Sequence, residues 1–76
     1  MTKVILPELG EGIKKATISY WYFQEGQEVN QNDDLVELTT DKATFNLPCP
    51  AKGTLIKVYF DEGKTVSVGD MIAEIE

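Results

Sequence analysis

One lysine, Lys42, stands between two apolar segments in a stretch that reads Thr-Asp-Lys-Ala-Thr. Asp favours turns and Lys favours solvent, so this stretch predicts an exposed primary amine in a turn. The chain has no histidine and a single cysteine, and the usual pairs of nucleophile and base cannot be assembled from it. We therefore expect a lysine that is presented to other molecules, and we assign no catalytic residue.

Neither a reactive thiol nor a metal site is expected. Cys49 lies between two prolines without a basic neighbour that would lower its pKa, which favours a structural role. Asp33 and Asp34 are adjacent, but they lack the ligand spacing of a calcium loop. Zinc would find too few nitrogen and sulfur ligands in this chain.

Two copies of one half-sequence flank the lysine. Residues 15–39 align on residues 52–76 with a constant offset of 37, and nine of the 25 aligned positions are identical. The identical pairs are Lys15/Lys52, Thr17/Thr54, Tyr22/Tyr59, Phe23/Phe60, Glu25/Glu62, Gly26/Gly63, Val29/Val66, Asp33/Asp70 and Glu37/Glu74. Such a repeat predicts two supersecondary units that bury their faces against each other.

The elements that must position Lys42 are short strands. No segment sustains a helical period, whereas β-branched and aromatic runs alternate with turn signals. Strands are expected at residues 3–6, 16–23, 28–29, 34–40, 43–47, 53–60, 65–66 and 70–75. We therefore predict an all-β fold, a flattened β-barrel or sandwich of two four-stranded antiparallel sheets with internal pseudo-two-fold symmetry.

The repeat also predicts which side chains face inward. Val36/Ala73, Leu38/Ile75, Trp21/Val58 and Phe23/Phe60 are apolar in both copies and are assigned to the core, whereas Tyr20/Lys57 and Glu37/Glu74 are assigned to the solvent face. An offset of 37 relates Lys42 to Ile5. The Lys42 turn would then correspond to the gap between the chain ends, with the ends together at the far side of the domain.

The composition of the chain limits the classes of partner that we expect. The net charge of −6 disfavours nucleic acid and anionic membrane surfaces, and no apolar run approaches the roughly 20 residues of a membrane span. Residues 1–76 are expected to form a single, monomeric domain. One cysteine fits a reducing compartment, so a cytoplasmic location is expected.

The whole chain resembles the lipoyl domains of 2-oxo acid dehydrogenase complexes, the modules at the N-terminus of the dihydrolipoamide acyltransferase (E2) component. Five segments carry this resemblance: residues 4–13, 25–29, 33–38, 40–44 and 48–53. The central segment is similar to the Asp-Lys-Ala attachment site of that family. Together the segments are specific, although each of them alone is not.

The resemblance implies that Lys42 carries lipoate in amide linkage. It further implies that the lipoyl group is acylated by the 2-oxo acid dehydrogenase (E1), delivers the acyl group to coenzyme A at the E2 catalytic domain and is reoxidised by dihydrolipoamide dehydrogenase (E3). A lipoate ligase or lipoyl transferase would attach the group. In a eukaryote the resemblance implies the mitochondrial matrix, after loss of a transit peptide. Asp41 and Ala43 resemble the flanking residues that assist recognition by E1, and residues 8–15 resemble the loop that E1 recognises. The charges of the 8–15 loop are equally compatible with a solvated turn. For Asp41 and Ala43, a role in recognition and a role in turn geometry are compatible with each other.

Two alternatives remain open at this stage. Biotin carrier domains share the fold but place Met on both sides of the modified lysine, where this chain has Asp41 and Ala43. An unmodified β-sandwich adaptor would need no lysine at the tip. The lipoylated carrier of the glycine-cleavage system is longer than 76 residues. The favoured interpretation is a carrier domain that is not itself an enzyme. We expect it to be the N-terminal module of a larger acyltransferase chain. Ala43 and Thr44 after the lysine make it most similar to pyruvate dehydrogenase E2.

Overall fold

Eight short strands form in the order that the repeat predicts. A computed structural model describes residues 2–76, so Met1, the first residue of the predicted domain, lies outside the described residues. The strands are β1 (Thr2–Ile5), β2 (Lys15–Trp21), β3 (Glu28–Val29), β4 (Asp34–Thr39), β5 (Thr44–Pro48), β6 (Gly53–Val58), β7 (Thr65–Ser67) and β8 (Met71–Ile75). Their ends lie within two residues of the predicted ends. Over residues 2–76 no helix has the length and apolar character that a membrane crossing requires.

The strands make two antiparallel four-stranded sheets. One sheet has the order β1-β8-β6-β3 and the other the order β5-β4-β2-β7. Alternating apolar residues give each sheet one buried face, and the two buried faces pack on each other. The predicted all-β fold is confirmed as a sandwich, because the sheets do not close into a barrel.

The core is symmetric. Each repeat contributes the same five buried positions: Ile18/Leu55, Val29/Val66, Leu35/Ile72, Val36/Ala73 and Leu38/Ile75. Val36, Leu38 and their partners were predicted to face inward, and this is confirmed. Tyr20 and Lys57 are exposed as expected.

Phe23 and Phe60 are not the central core residues that the alternation predicts. Both are half-buried and pack against the edge of the core. The reason is that β2 ends at Trp21 and β6 ends at Val58, so the regular alternation of faces stops before either phenylalanine. Trp21 is also half-buried, and its indole N–H donates to the carbonyl of Phe60 at 2.9 Å.

The pseudo-two-fold axis exchanges β4 with β8 and β5 with β1. Val36 pairs with Leu47, and its repeat equivalent Ala73 pairs with Val4. Equivalent positions of β5 and β1 are therefore 43 residues apart in the sequence (47 minus 4), whereas those of the other strands are 37 apart.

The expected match of Lys42 with Ile5 is therefore wrong by six residues, because the offset changes after β4. With the offset of 43, the turn has no counterpart in the chain and corresponds to the gap between its ends.

That gap lies far from Lys42. Thr2 pairs with Ile75, and the main chain of Glu76 hydrogen-bonds with Thr54, next to Gly53 and its partner Val29. A four-residue loop leads from β3 to β4, and β4 then carries the chain away for about 20 Å. Thr2 and Glu76 therefore lie at one end of the sandwich, which is 32 Å long, and Lys42 lies at the other.

Candidate functional site

The candidate site is the turn that joins β4 to β5. Thr39 pairs with Thr44 as the last pair of the hairpin, and the N–H of Thr40 donates to the carbonyl of Ala43 at 2.9 Å. Among residues 2–76, Asn32 is the one non-glycine residue with a positive φ. Asp41 and Lys42 therefore do not form the primed turns that close most two-residue hairpins.

The hydroxyl of Thr40 holds this turn together. Its Oγ1 accepts hydrogen bonds from the N–H of Lys42 at 3.3 Å and of Ala43 at 3.1 Å, and it donates to the carbonyl of Ala43 at 2.8 Å. Sequence reasoning noted Thr40 in the motif but gave it no role. The available signal was the tendency of a Thr side chain to bond to the backbone two or three residues further on.

Lys42 is exposed at the tip, and it lies against the loop between β1 and β2. Its Nζ donates to the carbonyl of Glu11 at 3.3 Å. Gly12 has a φ of 80°, and a Cβ at that position would lie 3.6 Å from Nζ. The structure thus brings together the two features that the sequence singled out separately, the lysine and the loop of residues 8–15.

A groove of about 490 Å³ runs from Lys42 along the outer side of the sheet. Lys14 of the preceding loop, Lys15 and Thr17 of β2 and Thr39 of β4 are among the residues that line it. The groove offers amines and hydroxyls, and Asp41 is the carboxylate at its border. This set of groups can bind or orient an attached chain.

Asp41 and Ala43 are both exposed beside the lysine. An acidic residue on one side and a methyl group on the other leave the amine unobstructed. Because the backbone of the turn is anchored through Thr40, these two side chains lie at defined positions next to the amine. Their part in recognition stays a prediction.

Cys49 is buried, with 1% of its surface exposed. Burial, followed by the negative charges of Asp33 and Asp34, raises the pKa of the Cys49 thiol. A raised pKa lowers the fraction of reactive thiolate, in line with the structural role expected for this residue.

The chain is similar to known proteins over nearly its whole length. The chain matches the biotin/lipoyl family model, described as "Biotin-requiring enzyme", over residues 2–75. It is 42% identical over 96% of its length to the dihydrolipoyllysine-residue succinyltransferase component of the 2-oxoglutarate dehydrogenase complex of Rickettsia conorii. It is 40% identical over 97% of its length to the dihydrolipoyllysine-residue acetyltransferase component of the pyruvate dehydrogenase complex of Corynebacterium glutamicum.

The chain spans 18% of the Rickettsia protein and 11% of the Corynebacterium protein. Among solved structures, the lipoyl domain of the 2-oxoglutarate dehydrogenase complex from Azotobacter vinelandii superimposes with a TM-score of 0.79, covering 97% of this chain and 94% of that domain at 24% identity. This superposition establishes the shared fold. Because the family model matches residues 2–75, the chain belongs to the family of biotin- and lipoyl-attachment domains.

Proposed function

We propose that this chain is the lipoyl carrier domain of an E2 acyltransferase, and that Lys42 is the attachment residue. The observation that carries the proposal is the position of the Lys42 amine, exposed on a hairpin tip that Thr40 anchors and flanked by Asp41 and Ala43. Lipoyl domains of this family carry lipoate on a lysine, and the relatives include E2 components of 2-oxo acid dehydrogenase complexes.

The surroundings of the amine fit an amide. An ammonium group has three N–H donors, and an amide nitrogen keeps one of them. That single N–H suffices for the contact with the Glu11 carbonyl, which accepts from Nζ at 3.3 Å. A Cβ at Gly12 would lie 3.6 Å from Nζ, so the absence of a side chain there leaves space for the acyl group.

When bound, lipoate would supply a dithiolane that can take up an acyl group and be reoxidised. The chain itself supplies reach and tethering. The lysine and lipoyl chain extend about 14 Å from the backbone, at roughly 1.2 Å per bond. Since the chain ends lie at the far end of the sandwich, a tether there leaves the Lys42 tip directed outward. A flexible tether gives an effective concentration of about millimolar at each partner active site.

The partners follow from this role. We infer that the domain serves E1, the E2 catalytic domain and E3 in turn, and that a lipoate ligase or lipoyl transferase modifies it. We place it as a monomeric module at the N-terminus of a larger chain, in the cytoplasm or, in a eukaryote, in the mitochondrial matrix. Its net charge of −6 would favour partners with basic surfaces.

Biotin is the competing cofactor within the family. The residues beside Lys42 argue for lipoate, because biotin carriers have Met at both flanks and this chain has Asp41 and Ala43. Similarity to the acetyltransferase and succinyltransferase relatives is nearly equal, at 40% and 42% identity. The preference for a pyruvate complex, drawn from Ala43 and Thr44, therefore stays a prediction.

The test is mass spectrometry of the domain after expression in its host. We expect the mass increment of one lipoyl amide on Lys42, and none on Lys42→Arg, which keeps the charge but cannot be modified in this way. Lys52 lies in the loop that leads into β6 and is a matched exposed lysine away from the tip. A lipoyl group on Lys52, a biotinyl group on Lys42, or an unmodified Lys42 in a host with active lipoylation would each contradict the proposal.

A further inference from the structure

The two outer faces of the sandwich differ, although the core between them is symmetric. We call the outer surface of the sheet β5-β4-β2-β7 the Lys42 face, because its central hairpin carries the lysine. The outer surface of the sheet β1-β8-β6-β3 is the opposite face. Repeat-equivalent positions on the two faces can be compared directly.

Four equivalent positions lose a charge on the Lys42 face. With the residue of the Lys42 face first, the pairs are Thr65/Glu28, Thr39/Glu76, Tyr20/Lys57 and, across the offset of 43, Asn46/Lys3. One equivalent pair, Asp34/Met71, has the opposite pattern, so the Lys42 face has three fewer charged positions than the opposite face. In protein interfaces the central region is depleted in charged residues.

At one of these positions an aromatic side chain, Tyr20, takes the place of a charge, and Tyr22 lies beside it. Tyr20 is 51% exposed and Tyr22 is 39% exposed. Their rings pack edge to face with centroids 5.0 Å apart, and the hydroxyl of Tyr22 donates to Asn46 Oδ1 at 3.2 Å. These contacts hold two large exposed rings in defined positions before any partner arrives. Tyrosine is enriched at interfaces and among the residues that contribute most to binding.

The Lys42 face continues up to the lysine without a break. Four threonines, Thr65, Thr17, Thr39 and Thr44, are direct cross-strand neighbours across all four strands of the sheet. Thr39 and Thr44 flank the Lys42 turn. Tyr20 pairs with Glu37, two residues before Thr39, and so lies about 7 Å further along the strand. The tyrosines and the tip therefore fall within one standard interface, which covers about 800 Å² on each partner.

We propose that the Lys42 face is the docking surface for the ligase that acylates Lys42, an inference that rests on the proposed function. That enzyme forms a bond between Nζ and an activated carboxyl carbon, while the activating group leaves and the nitrogen loses a proton. An unmodified lysine extends only about 6 Å from its Cα, so the ligase must approach the hairpin closely and contact the face beside it. Enzymes that act on the end of the finished arm work about 14 Å away and need less of this surface.

The repeat provides a matched pair of variants for the test. Tyr22 and Tyr59 are equivalent in sequence and have the same exposure, 39% and 40%, on opposite faces. The unmodified domain is incubated with lipoate ligase, lipoate and ATP, and kcat/KM is measured from the appearance of lipoyl-Lys42. We expect Tyr22→Ala to lower kcat/KM by about 5- to 30-fold and Tyr59→Ala to change it by less than about 2-fold.

A second variant covers the case in which Tyr22→Ala unfolds the domain. Tyr20→Lys introduces the residue of the opposite face at a side chain that is 51% exposed, and Lys57→Tyr is its control. We expect Tyr20→Lys to lower kcat/KM and Lys57→Tyr to leave it unchanged. Thermal unfolding of each variant shows whether the fold is retained.

Three results would overturn the proposal. The first is an equal loss of kcat/KM for the variants on both faces, and the second is no loss of kcat/KM for the variants on either face. The third is slower reductive acylation of the lipoylated Tyr22→Ala domain by E1, together with unchanged ligase kinetics. If wild-type Lys42 is not lipoylated at all, the proposed function itself fails. Lipoylation at equal rates in all variants would retain the function and reject this face.

Discussion

Two glutamates at equivalent positions each form a hydrogen bond with the opposite repeat. Glu62 Oε2 accepts a hydrogen bond from the N–H of Trp21 at 3.0 Å, and Glu25 Oε2 accepts one from the N–H of Val58 at 2.7 Å. Each carboxylate thus binds the last residue of a central strand in the opposite repeat. We predict that Glu62→Ala and Glu25→Ala each destabilise the domain.

The expected loss is about 1–1.5 kcal/mol for each variant. A hydrogen bond to a charged group contributes about 1.5–3 kcal/mol, but both glutamates are exposed, so water can reach the amide in the variant and replace part of the bond. The two sites share no hydrogen-bond partner, so the double variant should lose about 2–3 kcal/mol. In a domain of this size, each single change would lower Tm by roughly 5–10 °C.

Urea denaturation followed by fluorescence measures this loss, because Trp21 is the one tryptophan of the chain. Glu62→Gln keeps an acceptor oxygen and should recover about half of the stability. Glu8→Ala, a change at an exposed loop position, serves as the control for lost charge and should shift the free energy by no more than about 0.5 kcal/mol. A loss below about 0.3 kcal/mol for Glu62→Ala, or an equal loss for Glu8→Ala, would refute the role of these hydrogen bonds.

Three further changes test other parts of the structure. The pKa of the Cys49 thiol is raised in the folded protein by burial. Its contribution to stability is therefore fully present below the unfolded pKa of about 8.5 and declines above it. We expect the urea unfolding curves of the wild type to converge with those of Cys49→Ala as the pH rises from 7 to 10. Asp41→Met with Ala43→Met should change stability by no more than about 0.5 kcal/mol and slow reductive acylation by the cognate E1; an unchanged rate would move recognition away from these flanks. Gly53→Ala would place Cβ 2.1 Å from the carbonyl oxygen of Glu76, and we expect calorimetry to show a loss of about 1–3 kcal/mol, whereas wild-type stability would contradict that close approach.

The sequence predicts most of the fold because each strand pattern occurs twice, once in each copy of the repeat. Positions such as Val36/Ala73 and Leu38/Ile75 are apolar in both copies, and the core places them where the pattern indicates. The pattern misleads at Phe23 and Phe60, since a period of two assumes a strand that continues. Where each strand ends depends on tertiary pairing, which the local sequence does not encode.

The candidate site, like the fold, could be predicted only in part from the sequence. Asp and Lys between two apolar runs predict an exposed turn, and Lys42 is found there. Its hydrogen bond with Glu11 joins residues 31 apart in the chain, and only the packing of the loop on the hairpin brings them together. The asymmetry of the two outer faces could have been read from the repeat, by comparing the pairs that differ as well as those that match.

The correspondence between the Lys42 turn and the gap at the chain ends limits how many attachment points the fold can offer. At one end of the sandwich a covalent turn joins β4 to β5, whereas at the other end β1 and β8 are held together by backbone pairing, such as that of Thr2 with Ile75. A circular permutant that joins those ends with a copy of residues 40–43, and opens the chain at the exposed Gly69, would place a second lysine tip opposite the first. The single lysine tip of the domain is thus a consequence of chain connectivity, and one rearrangement of the chain would give a domain with two such tips.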